Sequence, residues 1–280
     1  MHLQEQHLSG VRLTVITVCY NDLAGLRRTI PSVVSQTRQD FEFIVVDGGS
    51  TDGSLEYIQS QTRIDRWVSE RDGGIYNAMN KGVGMAHGTY CIFMNAGDHF
   101  FAVNTLEQVI PLLQDKDYYC GQAVMIEGDK AETFIPPADM TRYYQINDTL
   151  CHQSLFTRTT QLKKRPYSEQ LSIVSDWKQF FESWFFDQCS YQALPCIVAV
   201  FYRDGLSSVH VDKLIAERAQ TLAQMPHEAT QVKETREQKE KRRKEKLQKE
   251  INKSMAMKPI ARDWNIAASA FRFLIKDLFH

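Results

Sequence analysis

Asp47 opens the run Asp47-Gly48-Gly49-Ser50-Thr51-Asp52-Gly53, and Asp98 closes the run Asn95-Ala96-Gly97-Asp98. Each follows an apolar stretch, Phe43 to Val46 and Tyr90 to Met94, that reads as a buried strand and stops on polar, Gly-rich chemistry. In an open α/β sheet, ligands bind at the carboxyl edge of the strands. The two edges are therefore expected to face a single nucleotide site from two sides. Asp47, in its Gly-rich turn, is suited to accept hydrogen bonds from a base or ribose; its plain alternative is a turn-capping Asp. Asp98 suits a divalent ion, Mn2+ or Mg2+, because such ions in phosphate chemistry take one or two carboxylates and complete their shell with phosphate oxygens and water. Asp52 is a different case, a helix N-terminal carboxylate favoured by the dipole.

Other polar residues stand at similar element ends. Tyr20 ends the first apolar run and is placed to pack against a base, or simply to finish the strand. Asp72 and Lys81 flank the third strand-helix unit, where Lys81 reads equally as a solvated helix residue. Glu70 has no assigned role. His152 and Gln153 begin the second half of the chain, as contacts to an acceptor or a phosphate, or as structural residues. A base for an acceptor hydroxyl has to be a carboxylate or a His, and Asp176 heads the aromatic run Trp177-Lys178-Gln179-Phe180-Phe181. N-capping is the competing role for Asp176. Trp177 and Trp184 are candidates to line a sugar subsite, against a core role.

The elements that must position these residues alternate. Leu13–Tyr20, Phe41–Val46, Ile64–Ser69 and Thr89–Asn95 read as strands. Asn21 or Asp22 caps a helix burying Leu23, Leu26, Ile30 and Val33, which Pro31 is expected to kink or divide. Ser50 or Thr51 caps a helix over Ser54–Gln61, and Ile75–Ala86 is a third. This order predicts an α/β fold with a mostly parallel sheet covered by helices on both faces. A helix over Asn104–Gln114, a strand at Tyr118–Ile126, an irregular Pro-containing segment over 128–150, an aromatic helix at Ile173–Phe186 and a last strand at Cys196–Tyr202 follow.

Charge divides the chain. The net charge is −1, but Val232–Lys253 carries ten Lys/Arg against five Glu, so a basic appendage is attached to a mildly acidic body. A nucleic-acid-binding protein more often spreads its basic excess over the folded surface, so no nucleic-acid partner is expected. The six cysteines are scattered with no C-x-x-C pair, which points to reduced core thiols in a cytoplasmic protein. No early apolar run resembles a signal peptide, and none is long enough to span a membrane. The expected division is a catalytic domain over 1–211 and a charged helical region over 212–280. Within the latter, Glu237/Lys241, Glu240/Lys244 and Glu245/Lys249 repeat at i,i+4 on a solvated helix. Trp264, Ala267, Ala268, Phe271, Leu274, Ile275 and Leu278 then share one face of a final amphipathic helix. Residues 230–280 thus suit an anionic membrane surface, on the inner face of the cell membrane, or a docking or homo-oligomer contact.

Several motifs in order carry a resemblance: Leu13–Asn21, the Asp47 turn, Ser69-Glu-Arg-Asp-Gly-Gly-Ile-Tyr-Asn-Ala-Met-Asn-Lys-Gly82, Gly88-Thr-Tyr-Cys-Ile-Phe-Met-Asn-Ala-Gly-Asp98, Cys151-His-Gln-Ser and Ser175-Asp-Trp177. Over about residues 11–208 the chain resembles family 2 glycosyltransferases, and among them bacterial enzymes of surface-polysaccharide synthesis. The resemblance implies a GT-A-type domain and inverting transfer of a sugar from a nucleotide-diphosphate donor, a UDP-sugar above others, to a glycan or lipid-linked acceptor. It implies Asp176 as the catalytic base, Asp98 as the metal residue, and Tyr20, Asp47, Asp72, Lys81 and Asn95 at the nucleotide-sugar, with Asp47 on the base. The family's Asp-x-Asp-Asp pattern reads Asn95-Ala96-Gly97-Asp98 here, so the ribose contact expected at Gly97 is lost, and a non-catalytic assembly protein on the same fold stands as the alternative. A sugar nucleotidyltransferase should carry a Gly-rich phosphate loop with Arg and Lys after its first strand; Cys19-Tyr20-Asn21-Asp22 is not one.

Each cationic residue near an anionic leaflet adds about 1 kcal/mol, screened by salt. Full-length protein is therefore expected to bind anionic vesicles reversibly and salt-sensitively, and deletion of 230–280 to abolish this. Indifference to such vesicles at low salt would assign the last helix to docking or oligomerisation.

Overall fold

The structure, a computed structural model, describes residues 10–203 and 210–231. The expectations for the basic run and the final amphipathic helix lie outside the described residues. No described helix is long and apolar enough to cross a membrane.

Strands β1 (Leu13–Cys19), β2 (Glu42–Asp47), β3 (Arg66–Ser69) and β4 (Tyr90–Phe93) pair in parallel in the order β3-β2-β1-β4. Every residue of β1 and β2 is buried, as expected for strands covered on both faces. Alternation along the strands sends side chains to opposite cores. Leu13, Val15 and Val45 pack with Leu26, Ile30 and Val33 of helix α1 (Leu23–Val34). Ile16, Val18, Ile44 and Val46 pack with Tyr76, Met79 and Val83 of α3 (Ile75–Met85). Helix α2 (Ser54–Gln59) lies between them in sequence.

The register fixes the site. Cys19 pairs with Asp47 and Asp47 with Ser69, so these strands end level on one edge. At the opposite edge, buried Glu42 accepts hydrogen bonds from Thr14 Oγ1 (2.7 Å), His87 N (2.8 Å) and His87 Nδ1 (2.8 Å). Asp22 caps α1, accepting from Gly25 N at 2.8 Å. Helix α1 runs unbroken through Pro31. Pro31 falls in the last turn, where it removes one backbone bond close to the end, and Ser35 N still reaches Pro31 O at 3.0 Å.

The second half extends the sheet largely by antiparallel pairing. After β5 (His99–Phe100) and α4 (Thr105–Val109) come β6 (Tyr118–Glu127), β7 (Lys130–Phe134), α5 (Arg142–Asn147), β8 (Leu155–Arg158), α6 (Thr159–Lys164), α7 (Ser175–Phe186) and β9 (Tyr191–Tyr202). The full order is β3-β2-β1-β4-β8-β6-β9-β5, with β7 on β6. The parallel character expected from the sequence belongs to the first four strands and the β6–β9 pair; β8, β5 and β7 join antiparallel. The 128–150 segment is more regular than expected. Gly128, at φ 57, turns a β6–β7 hairpin there, and α5 follows. The cysteines are free and five of the six are buried, as read from their scatter.

Helices α8 (Val211–Gln224) and α9 (His227–Thr230) belong to this compact unit, which extends to Gln231. The solvated character expected from Asp212 onward applies to only one side of α8. Leu214, Leu222 and Met225 pack, with buried Ala229, against Ile173, Val174, Trp177 and Phe181. Leu214 and Leu222 of α8, Met225 at its C-terminal cap and Ala229 of α9 make that contact, which a search for aromatic and β-branched residues passes over. Glu217 secures the contact, accepting from Ser172 N (3.0 Å) and Ile173 N (2.9 Å). Leaving such donors without partners costs about 1–3 kcal/mol. Glu217→Ala is expected to lower stability by that order in urea unfolding and to accelerate amide exchange at Ser172 and Ile173; unchanged exchange there would show that the helix docks by its apolar stripe alone.

Candidate active site

At the carboxyl edge of the parallel strands, Asp47 is fully buried. Its carboxylate accepts from Gly49 N (3.2 Å), Ser50 N (3.0 Å), Ser50 Oγ and Ser69 Oγ (2.6 Å). The side chain thus ties the Gly-rich turn to the end of β3, and it does not line the cavity that opens beside it. Gly48 is needed for the same corner. A Cβ there would stand 2.6 Å from Asp72 Oδ2 and 3.2 Å from the Tyr20 ring, so the bare backbone lets these two converge. Asp52 serves the turn, accepting from Leu23 N (2.9 Å) and Ser54 N (3.1 Å).

The cavity has a volume of about 660 Å3. Of the residues singled out in the sequence, Tyr20, Asp72, Asn95, Asp98, His152, Gln153, Asp176 and Trp177 all line it. Tyr20 is 66% exposed at its mouth. Asp72 accepts from Gly74 N at 3.0 Å. Lys81 does not line the cavity; its Nζ pairs with Glu70 Oε1 at 2.8 Å. Trp184 is likewise outside the lining.

Asn95 and Asp98 are carried by a turn anchored on α1. Thr29 Oγ1 stands 2.6 Å from Asp98 O and 3.1 Å from Asn95 O and accepts from Gly97 N at 3.0 Å. Gly97 has φ 101, a left-handed backbone that glycine adopts without strain. Asn95 Nδ2 lies 3.4 Å from His152 Nε2, while Asn95 Oδ1 is buried without a partner, ready for a ligand hydroxyl.

Two distant segments meet at Asp176. His152 Nδ1 stands 3.4 Å from Asp176 Oδ2. The Tyr76 hydroxyl, shared with Ile173 O at 2.6 Å, stands 3.1 Å from Asp176 Oδ1. Burial opposes charging either member of the His–Asp pair. Their hydrogen bond and mutual attraction outweigh it, so the His152 pKa is raised and that of Asp176 lowered. Burial, then Asp176, push the Tyr76 hydroxyl well above its ordinary value, keeping it a donor. The result is an ionised carboxylate on a cavity wall.

Tyr76 and Arg218 were not assigned roles from the sequence. Tyr76 lies inside the quoted Gly-Gly-Ile-Tyr motif, the one available signal; Arg218 sits in a charged helix with none. Among the described residues no three His, Cys, Asp or Glu side chains form a metal cluster. The lining holds four carboxylates, Asp22, Asp72, Asp98 and Asp176, against one guanidinium, Arg218. That donor set fits a divalent ion held by a single protein carboxylate with substrate oxygens and water completing its shell.

Residues 14–170 match the family model of Glycosyl transferase family 2. A PGL/p-HBAD biosynthesis glycosyltransferase of Mycobacterium bovis is 30% identical over 223 residues, covering 75% of this chain and 85% of the relative. An uncharacterized glycosyltransferase of Mycobacterium tuberculosis strain H37Rv is 28% identical over 208 residues, 71% of this chain and 78% of the relative. Staphylococcus aureus TarS 1-349 in complex with UDP-GlcNAc superposes with a TM-score of 0.61 at 16% identity, over 76% of this chain and 67% of that one. The mannosyltransferase PcManGT of Pyrobaculum calidifontis, in complex with GDP-Man and Mn2+, gives 0.55 at 16% identity, over 76% and 63%. The fold is that of a GT-A glycosyltransferase. The chain belongs to glycosyl transferase family 2.

The His152–Asp176 pair yields a test that needs no substrate. Asp176 raises the His152 pKa, and burial alone would lower it. The His152 titration followed by NMR is expected to have its midpoint above the ordinary histidine value in the native protein and to fall in Asp176→Asn. A midpoint that ignores the substitution would show that the two side chains do not interact.

Proposed function

We propose that this glycosyltransferase moves a sugar, with inversion, from a nucleoside-diphosphate donor, a UDP-sugar above others, to a hydroxyl of a glycan or lipid-linked acceptor in surface-polysaccharide synthesis. The observation that carries the proposal is Asp176, held ionised on the cavity wall by His152 and Tyr76. The donor side is formed by Tyr20 against the base, Asp72 and Asn95, on the corner that Asp47 braces. The S. aureus and P. calidifontis structures, with UDP-GlcNAc and GDP-Man, support a nucleotide-sugar there. The M. bovis relative, named for PGL/p-HBAD biosynthesis, supports a biosynthetic acceptor.

Asp176 accepts the proton of the acceptor hydroxyl as its oxygen bonds to the anomeric carbon, and the bond from that carbon to the diphosphate oxygen breaks. A carboxylate has about four acceptor sites, so contacts to His152 and Tyr76 leave room for the hydroxyl. Asn95 Oδ1 accepts from a sugar hydroxyl, satisfying its buried oxygen. Asp98 would hold the divalent ion, which supplies charge stabilisation to the departing diphosphate. The pH dependence follows from the pair. While His152 is charged it depresses the basicity of Asp176; loss of its proton restores it. The transfer rate should therefore rise with pH through the raised His152 pKa, and His152→Gln should remove that step.

Asp176→Asn is expected to cost about 10²–10⁴ in kcat with little change in donor affinity. Asp98→Ala should abolish any Mn2+-dependent gain in UDP binding while the fold is retained. Donor binding is read by thermal shift across nucleotide sugars, where ligand at 100 times its Kd adds about 2.7 kcal/mol. Normal turnover by folded Asp176→Asn, or activity indifferent to EDTA, would overturn the corresponding assignment.

A further inference from the structure

Arg218 is the one Lys or Arg among the described residues that line the cavity. It comes from α8, beyond the residues matched by the family model. Its Cζ lies 4.6 Å from the centroid of the Trp177 ring, so the guanidinium is stacked on the residue that follows Asp176. Nη2 donates to Gln145 O at 3.3 Å and to Asp148 O. Nε is buried and has no partner. Its neighbour Glu217 fixes the helix on the backbone of Ser172 and Ile173, just ahead of α7.

A guanidinium held rigidly by stacking and two carbonyls, with a buried N–H left over, is an incomplete arrangement. Its planar fork matches an oxyanion through two parallel hydrogen bonds. Among the described residues no carboxylate forms an ion pair with it. Burial holds the Arg218 pKa down, against the carboxylates of Asp148 and Asp176. These belong to the side of the base. The stack on Trp177, the residue after Asp176, puts the guanidinium on that same side.

We infer that Arg218 is the acceptor-side anion site: the acceptor carries an oxyanion, phosphate or carboxylate, beside the hydroxyl that Asp176 deprotonates. The unpartnered Nε–H donates to that oxyanion, and the stacked Trp177 sets its distance from Asp176. The inference rests on the transfer reaction proposed above and adds the charge of its acceptor.

The test uses full-length protein with saturating UDP and Mn2+, so that the donor subsite is filled. Glucose 1-phosphate, glucuronate and methyl glucoside are titrated calorimetrically as phosphate, carboxylate and neutral probes. At least one anionic sugar is expected to bind about tenfold or more tighter than methyl glucoside, a difference of about 1.4 kcal/mol. Arg218→Gln should erase the difference and leave UDP affinity unchanged. Should R218Q fail to fold, R218K keeps the charge without the fork, and the preference should shrink but persist. The inference is overturned if anionic and neutral sugars behave alike, including no binding of any. It is also overturned if the anionic sugar displaces UDP, or if R218Q weakens UDP as much as it weakens the sugar. UDP that does not bind to native protein would instead count against the donor site, and the comparison of the three sugars without nucleotide would still decide the role of Arg218.

Discussion

The Asp47 carboxylate is buried at the end of β2, yet the hydrogen bonds it accepts from the backbone and hydroxyls of the next turn and of Ser69 replace the water it lost. An ionised carboxylate in an apolar interior is costly unless its acceptor sites are filled. Here they are filled by the segment that has to be shaped, so the cost of burial is turned into a constraint on the turn. With β1, β2 and β3 ending in register, Tyr20, Gly48 and Asp72 come together on one corner. The exposed Lys81–Glu70 pair on the neighbouring helix contrasts with this: Glu70 is 58% exposed, and such a pair is worth about 0–1 kcal/mol. The buried carboxylate, not the visible ion pair, holds the corner.

The second half of the chain completes the site by crossing back onto that edge. Its antiparallel strands place His152 and Asp176, far apart in sequence, within 3.4 Å of each other, and Tyr76 arrives from α3 on the parallel side. Asp176 is therefore ionised by contacts drawn from both halves of the fold. The cavity that results is acidic, and this decides what it can accept: an anionic ligand needs a cation to come with it, or the single guanidinium supplied by α8.

Helix α8 shows how a site can be finished by an element outside the matched domain. One side is solvated and charged. The other carries the apolar stripe, the carboxylate of Glu217 on backbone amides and the guanidinium of Arg218 over Trp177. Stacking and packing fix the helix, so the charge enters the cavity at a defined place rather than on a mobile arm.

The sequence by itself determined the parallel half and the polar edge at which its strands end. Continuous β-branched runs ending in Gly-Asp chemistry specify strands buried on both faces, and the order of the motifs specifies the family. Asp98, Asp72, Tyr20 and Asp176 line the cavity, and each sits at the end of an element that local pattern defines. Only the tertiary structure decided which polar groups are already occupied. Asp47 and Lys81 look like ligand contacts in the sequence, but their partners, Ser69 and Glu70, are set by strand register and helix packing. The approach of Tyr76 and His152 to Asp176, and of Arg218 to Trp177, likewise depends on contacts between residues distant in the chain. Periodicity reports which face of an element is buried; it carries no information about which buried face meets which.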